Sequence, residues 1–328
     1  MVRGLARNPK QAALVLLLVA TAAWGATFVV VKDAVAHMQV LGFLAWRFLI
    51  AGGLLVALRP RCLLHLGRRG WSQGILLGLM LSAGYVLQTF GLRETSAAVS
   101  GFLTGLQVVF TPLLVWLLLR QRPGTRVWAA TVLATAGLAV ISLRGFSFGL
   151  GEGLTIASAA AFALQIVALG YWSSAHGSYG LATVQLLTVA ACCGLADAPE
   201  GLRPPPSGGP WAAVVFTAVV ATAFAFVVQS WAQSQISTAK AAIVFTLEPV
   251  FAALAAVLAG EHLGLPLVGG GALVVAAMLV VEVPTWGAWL WLVSRLSRRQ
   301  AGQVSPVRDR PDLGGPDLAG VAATGPGP

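Results

Sequence analysis

Apolar residues run along this chain in blocks of about 17–23, separated by short polar or basic stretches. A helix needs ~20 residues, at 1.5 Å per residue, to cross hydrocarbon ~30 Å thick. Backbone amides inside lipid must bond internally, and a spanning strand would need only ~9–11 alternating residues. The pattern therefore predicts a bundle of membrane-spanning α-helices.

The apolar blocks predict ten spans with mostly short connections, which makes the chain an all-α membrane protein. The predicted spans lie near residues 12–31, 41–58, 74–92, 97–119, 127–143, 153–172, 179–196, 211–229, 241–260 and 263–282. Composition agrees, since 57% of the residues are hydrophobic and 10% are charged. Soluble domains have about 25% charged residues, so an ordinary soluble protein is excluded.

Basic residues occupy alternate loops, and this sets the predicted topology. Large clusters fall on one side, as at Arg3–Lys10, Arg59–Arg69 and Arg120–Arg126. The other side has the isolated residues Lys32, Arg93, Arg144 and Arg203. By the positive-inside rule both termini are cytoplasmic in a plasma (inner) membrane. The net charge of +10 is thus explained by loops rather than by nucleic-acid binding.

The chain divides into a short terminus, two halves and a tail. We assign 1–11 to a cytoplasmic N-terminus, 12–143 and 144–283 to two five-span repeats, and 284–299 to an interfacial helix. The alternative for 284–299 is a continuation of the tenth span, although its tryptophans followed by arginines suit an interface. Residues 300–328 are rich in Pro, Gly and Asp and predict a disordered cytoplasmic tail.

An internal repeat relates the two halves. Sliding residues 97–143 onto 238–284 places Leu106 on Leu247, Gln107 on Glu248, Phe110 on Phe251 and Leu113 on Leu254. A slightly smaller shift superposes Ala22-Ala23-Trp24-Gly25 on Ala160-Ala161-Phe162-Ala163. Five spans per half is an odd number, so the halves take opposite orientations. Such inverted repeats are a hallmark of secondary transporters.

Several short motifs resemble those of EamA-type members of the drug/metabolite transporter superfamily. They are Trp24-Gly25-Ala26-Thr27-Phe28, Arg47-Phe48, the segment from Thr95 to Pro112, and Leu247-Glu248-Pro249-Val250 followed by Gly260-Glu261. The resemblance implies a proton- or gradient-driven carrier, often an exporter of amino acids, metabolites or drugs. We expect no cofactor and no catalytic residue. The chain departs from the pattern at Arg120, which stands where Glu261 stands in the second half.

Two ionisable residues, Arg47 and Glu248, fall well inside predicted spans, whereas Glu282 lies at the end of the tenth. An ionised group at the bilayer centre costs at least ~2.5–3.5 kcal/mol, so each needs a partner or an aqueous cavity. Glu248 lies near the middle of the ninth span and is our candidate for binding a proton or a substrate amine. The alternative is a structural carboxylate, either paired with Arg47 or bonded to neighbouring helices. Arg47, in the second span, is a candidate for a substrate carboxylate, with structural pairing as its alternative.

Four further residues complete the set of candidates for binding. Lys240 lies at the inner edge of its helix, where snorkelling would also explain it. Trp24 can stack on a solute or simply pack. Gln107 and Gln165 can line a cavity or make interhelical hydrogen bonds. Pro112 and Pro249 are assigned structural roles, because proline removes a backbone donor and can kink a helix.

These observations favour a secondary active transporter of a small organic solute, working by alternating access and expected to export. Its partners are the solute, the lipid bilayer and protons as candidate coupling ions. An intramembrane enzyme is disfavoured, because the histidines fall in loops or at span ends and no helix has metal-ligand spacing. A non-transporting membrane scaffold or regulator would leave the repeat and the midplane acid unexplained.

Overall fold

The computed structural model describes residues 9–64, 66–120, 124–143, 149–173, 177–236, 241 and 244–282. Those residues form helices and short connections without a β-strand. Lys240, the predicted interfacial helix and the predicted tail lie outside the described residues. The prediction of an all-α protein is confirmed.

The first half contains six helical segments. They are α1 (Pro9–His37), α2 (Val40–Leu58), α3 (Gly67–Glu94), α4 (Ala97–Thr104), α5 (Gln107–Leu119) and α6 (Thr125–Leu143). A 3-10 turn, Pro60–Cys62, follows α2. Several of these helices run beyond the apolar blocks that predicted them, and α1 extends six residues past the predicted end of the first span.

The second half repeats this order. It contains α7 (Leu150–Trp172), α8 (Ser178–Asp197), α9 (Gly208–Ala218), a π-helical segment (Val219–Phe224), α10 (Ala225–Gln235), α11 (Glu248–Leu258) and α12 (Leu265–Glu282). The continuous stretch Gly208–Gln235 has the same length as α3, 28 residues, and begins 141 positions later. This is the same displacement that superposes Gln107 on Glu248.

Length and apolarity identify the helices that can cross a membrane. Seven helical stretches of the described residues meet both criteria, among them Pro9–His37, Gly67–Glu94 and Gly208–Gln235, and shorter apolar helices accompany them. Large apolar side chains such as Leu79, Leu118 and Leu254 are exposed on the outside, where hydrocarbon takes the place of water. The predicted count of ten spans stays a prediction.

The two halves interlock instead of packing as separate bodies. Within the described residues, α3 packs most extensively against α7, α2 against α8, α6 against α12, and α1 against α10 and α11. Glycine permits the close approach of α3 to α8, because a Cβ at Gly78 would lie 2.9 Å from the carbonyl oxygen of Gln185. Each half therefore buries its apolar faces mainly against the other half.

Two helices are interrupted at repeat-equivalent positions. A turn at residues 105–106 separates α4 from α5, and a turn at 246–247 precedes α11. In the first turn Leu106 N donates to Leu103 O at 3.1 Å; in the second Leu247 N donates to Val244 O, also at 3.1 Å. These i→i−3 bonds tighten the chain locally into 3-10 geometry. The sequence pattern did not predict either interruption.

Candidate functional site

A central pocket lies among the helices from both halves, with a space of about 630 Å³ that includes its open mouth. We call it the central pocket and define it by its lining residues. They are Trp24, Thr27, Phe28, Val31, Arg47, Leu81, Tyr85, Gln88, Thr89, Leu92, Thr104, Gln107, Phe162, Gln165, Ile166, Phe226, Gln229, Phe245 and Glu248.

Glu248 is placed in the central pocket by the interruption before α11. It is the first residue of that helix, directly after the turn at 246–247, and is 5% exposed. Its Oε2 accepts a hydrogen bond of 3.0 Å from Gln107 Nε2. Pro249 follows in the first turn of α11, where the missing N–H of proline costs little.

Gly25 of α1 lets this part of α11 come close. A Cβ on Gly25 would lie 2.7 Å from the carbonyl oxygen of Glu248 and 2.8 Å from the amide nitrogen of Ala252. Any larger residue would have to push α1 away from α11. The glycine of the Trp-Gly motif therefore has a packing reason that is independent of any solute.

Arg47 extends from α2 into the same pocket and is 2% exposed. Its Nε donates to Thr222 Oγ1 at 2.7 Å, and its guanidinium carbon lies 5.0 Å from the centroid of the Tyr85 ring. Among the described residues no carboxylate forms an ion pair with it. Glu248 bonds to Gln107 of a neighbouring helix instead of to Arg47. This contact matches the second structural alternative for Glu248, and its role as a binding residue stays a prediction.

The π-helical segment supplies two of the contacts that hold the pocket. Thr222 Oγ1 accepts from Arg47 and donates to Thr217 O at 2.9 Å, five residues back. The carbonyl oxygen of Ala221 accepts a bond of 2.7 Å from the indole Nε1 of Trp24. A π-helical turn displaces backbone groups from their usual partners, and such turns are frequent at functional sites.

Aromatic rings form much of the remaining wall. The Trp24 ring lies 5.5 Å from Phe226 and 5.9 Å from Phe245, centroid to centroid. Tyr85 stands edge-on to Phe162 at 5.2 Å. These separations suit favourable tilted and edge-to-face ring contacts. The wall offers apolar surface beside the guanidinium of Arg47 and the carboxyl group of Glu248.

Five of the sequence-predicted candidates line the central pocket: Trp24, Arg47, Gln107, Gln165 and Glu248. The side chain of Gln165 also makes an interhelical hydrogen bond, from Nε2 to Gln185 Oε1 at 2.8 Å. Pro112 lies inside α5 and does not line the pocket. Lys240 is outside the described residues, so its role stays a prediction.

Sequence reasoning missed several lining residues, notably Tyr85, Thr104 and Phe226. A tyrosine or phenylalanine inside an apolar span gives no signal by itself. A signal exists in the repeat, because the displacement of 141 residues that matches α3 to Gly208–Gln235 places Tyr85 on Phe226 and Gln88 on Gln229. Extending the repeat to this pair of helices would have shown that Tyr85 and Phe226 occupy equivalent positions, one turn before Gln88 and Gln229.

Comparison with known proteins agrees with this architecture. Residues 11–143 and 149–283 each match the model of the EamA-like transporter family. An uncharacterized transporter of Archaeoglobus fulgidus is 31% identical over 269 residues, which cover 79% of this chain and 82% of the relative. The uncharacterized transporter YvbV of Bacillus subtilis is 30% identical over 183 residues, or 54% of this chain and 60% of the relative.

A solved crystal structure shows the same fold at a TM-score of 0.62, with 20% identity, covering 88% of this chain and 99% of the other. At that identity the likeness concerns the fold alone. The family match covers both halves of the chain, in agreement with the motifs around Trp24, Arg47 and Glu248. The chain belongs to the EamA-like transporter family of the drug/metabolite transporter superfamily, and is a multi-pass membrane protein.

Proposed function

We propose that the protein is a secondary active transporter that moves a small organic solute by alternating access around the central pocket. One observation carries the proposal: Arg47 and Glu248 are both buried, both line this pocket, and do not pair with each other. Buried charges are costly when they lack a partner of opposite sign. A solute with complementary groups would supply those partners while it is bound.

The repeat supports alternating access. Ten spans in two inverted halves, over 12–143 and 144–283, would make α3 equivalent to α9 and α10, and α7 equivalent to α1. The packing agrees, because the α3–α7 contact maps onto the contact of α1 with α9 and α10. Inverted halves can exchange conformations, and this exchange opens a central site to one side and then to the other.

Glu248 lies where the two halves meet. Gln107 and Glu248 occupy equivalent positions of the repeat, and their side chains bond to each other at 3.0 Å. Two equivalent residues can touch only if both are close to the axis that relates the halves. A carboxyl group at that point can gain or lose a proton, or bind an amine, at the interface that has to rearrange.

The pocket chemistry favours a zwitterionic solute with an apolar part, such as an amino acid. The guanidinium of Arg47 suits a carboxylate, and the carboxylate of Glu248 suits an ammonium group. The rings of Trp24, Tyr85 and Phe226 suit an apolar side chain. We further propose export across a plasma (inner) membrane, with both termini cytoplasmic and protons as coupling ions.

Transport can be tested in liposomes containing the wild type, Glu248→Gln or Glu200→Gln. Glu200 is an exposed acid outside the pocket and serves as a matched control. An imposed pH gradient is combined with labelled amino acids and cationic dyes. We expect gradient-dependent flux in the wild type and the control, and its loss in Glu248→Gln.

Two results would contradict the proposal. Equal flux in the wild type and Glu248→Gln would assign the acid to structure. Absence of flux for every solute, with folded protein in the vesicles, would favour a membrane scaffold or regulator instead.

A further inference from the structure

The two halves contribute one glutamine each to the central pocket at equivalent positions. Gln88 lies in α3 and Gln229 in α10, separated by the displacement of 141 residues that relates these helices. If the halves were chemically alike, the two side-chain amides would make the same hydrogen bonds.

The hydrogen bonds of Gln88 and Gln229 differ. Gln88 Nε2 donates to Thr104 Oγ1 at 3.1 Å, so the first half satisfies its own glutamine. The residue equivalent to Thr104 in the second half is Phe245, again 141 positions later. A phenyl ring has no hydroxyl, so the second half cannot form the equivalent bond.

Gln229 therefore lacks a hydroxyl at this position, and a hydroxyl could donate to its amide oxygen as well as accept from its amide nitrogen. Its side chain lines the central pocket and is 3% exposed. Among the residues that the structure describes, its Oε1 is buried and accepts no hydrogen bond. An unpaired buried amide oxygen is costly, and more than nine in ten buried polar groups are paired, so this one calls for an explanation.

We propose that Gln229 is a solute-binding residue that selects for a hydrogen-bond donor. Its amide oxygen accepts a bond from a hydroxyl or N–H group of the solute, and Phe245 leaves no hydroxyl at the position equivalent to Thr104 that could donate to this oxygen instead. This inference rests on the proposed function, because it takes the central pocket as the solute site. It goes further by predicting preference for a solute with a neutral donor over its apolar isostere.

The first test needs no solute. In ligand-free protein in detergent, Gln229→Leu removes an unpaired buried amide oxygen, so we expect the midpoint of thermal unfolding to stay the same or rise. The matched variant Gln88→Leu removes one partner of an existing bond and leaves Thr104 unpaired, so its midpoint should fall. An equal fall in both variants would show that Gln229 is structural and would overturn the proposal.

The second test measures selectivity in liposomes with labelled threonine and valine, which have nearly the same shape. We expect Gln229→Leu to lower the threonine-to-valine flux ratio roughly tenfold, the factor that corresponds to one hydrogen bond of about 1.4 kcal/mol. An unaltered ratio in Gln229→Leu would overturn the proposal.

A pair of variants at Phe245 tests the mechanism with Gln229 still present. Phe245→Thr supplies the hydroxyl found at Thr104. We expect it to lower the threonine-to-valine flux ratio, because the new hydroxyl can donate a hydrogen bond to Gln229 Oε1. Phe245→Val opens the same space without a hydroxyl and should lower the ratio less. Equal ratios in the two would contradict the role assigned to Phe245.

The two proposals fail differently. Absence of wild-type flux for all solutes would count against the transport function, and the stability comparison of Gln229→Leu with Gln88→Leu would still decide whether Gln229 is structural. Wild-type flux with an unaltered ratio in Gln229→Leu would leave transport in place and refute the role of Gln229.

Discussion

The first and second halves of the chain share a backbone plan and differ in the side chains that they present to the central pocket. The first half presents Gln107 and Thr104, which are neutral and hydrogen-bonded. The second half presents Glu248 and Phe245 at the same repeat positions, one ionisable and one apolar. Equivalent geometry therefore supplies the pocket, and the asymmetry of a few side chains supplies its chemistry.

Exchanging the charge between the halves should produce the largest effect. Glu248→Gln is expected to lower gradient-dependent flux about ten- to hundredfold, since hydrogen bonds to charged groups contribute ≈ 1.5–3 kcal/mol. Adding Gln107→Glu returns one carboxylate to the same contact from the other side, and we expect partial recovery of flux. A double variant as inactive as the single one would show that the two positions are not interchangeable.

Packing of α1 against α11 should respond strongly to a side chain at Gly25. Gly25→Val would place atoms against the carbonyl oxygen of Glu248 and the backbone of Ala252, and overpacking of this kind costs about 1–3 kcal/mol. We expect a lower midpoint of thermal unfolding, measured by tryptophan fluorescence. In Gly53→Val the new side chain meets open space, so a comparable loss of stability there would exclude the packing explanation.

Arg47 tests the other charge of the pocket. Helices α2 and α8 begin 138 positions apart, at Val40 and Ser178, and at this displacement the residue equivalent to Arg47 is Gln185. Arg47→Gln would make the two halves alike and should lower flux of a transported amino acid about tenfold relative to its carboxamide, since one charge-assisted bond is lost. Equal losses for the acid and the carboxamide would indicate that Arg47 serves structure through Thr222.

The smallest effect is expected at Glu261, whose equivalent in the first half is Arg120. Glu261 accepts bonds from the backbone nitrogens of Ala97 and Ala98, at 3.1 and 3.3 Å, and forms an ion pair of 3.8 Å with the partly exposed Lys32. Glu261→Gln should cost about 1 kcal/mol through the helix start, because exposed ion pairs contribute little. The matched variant is Lys32→Gln, which should lower the stability measured by thermal unfolding by less than Glu261→Gln. A larger loss of stability in Lys32→Gln would show that the ion pair contributes more than the bonds to the backbone of Ala97 and Ala98.

Sequence reasoning identified the charged part of the site because ionisable residues are rare inside apolar spans. Glu248 and Arg47 stood out for that reason, and Gln107 was tied to Glu248 by the repeat. Tyr85 and Phe226 did not stand out, since aromatic residues are ordinary in such segments. The distinction between Gln88 and Gln229 depends on which neighbour lies within bonding distance, and that requires coordinates.

The helical composition of the fold was predictable, whereas its interruptions were not. Apolar blocks of about 20 residues specify helices in lipid. The turn at 246–247 contains neither glycine nor proline, and Pro249 beside it indicates a kink without specifying its position; nothing marks the π-helical segment Val219–Phe224. These local departures depend on contacts between helices, such as those of Trp24 with Ala221 and of Arg47 with Thr222.

The interlocking of the halves has a consequence for how the chain is made. Helices enter the membrane in order from the ribosome, yet α3 packs mainly on α7 and α8, and α6 packs mainly on α12. The face of α3 that contains Gly78 and the inner face of α6 therefore remain exposed to lipid until the later helices have been inserted. A chain truncated before α12 would leave α6 without its principal neighbour, so assembly can be completed only when the last described helix has been inserted.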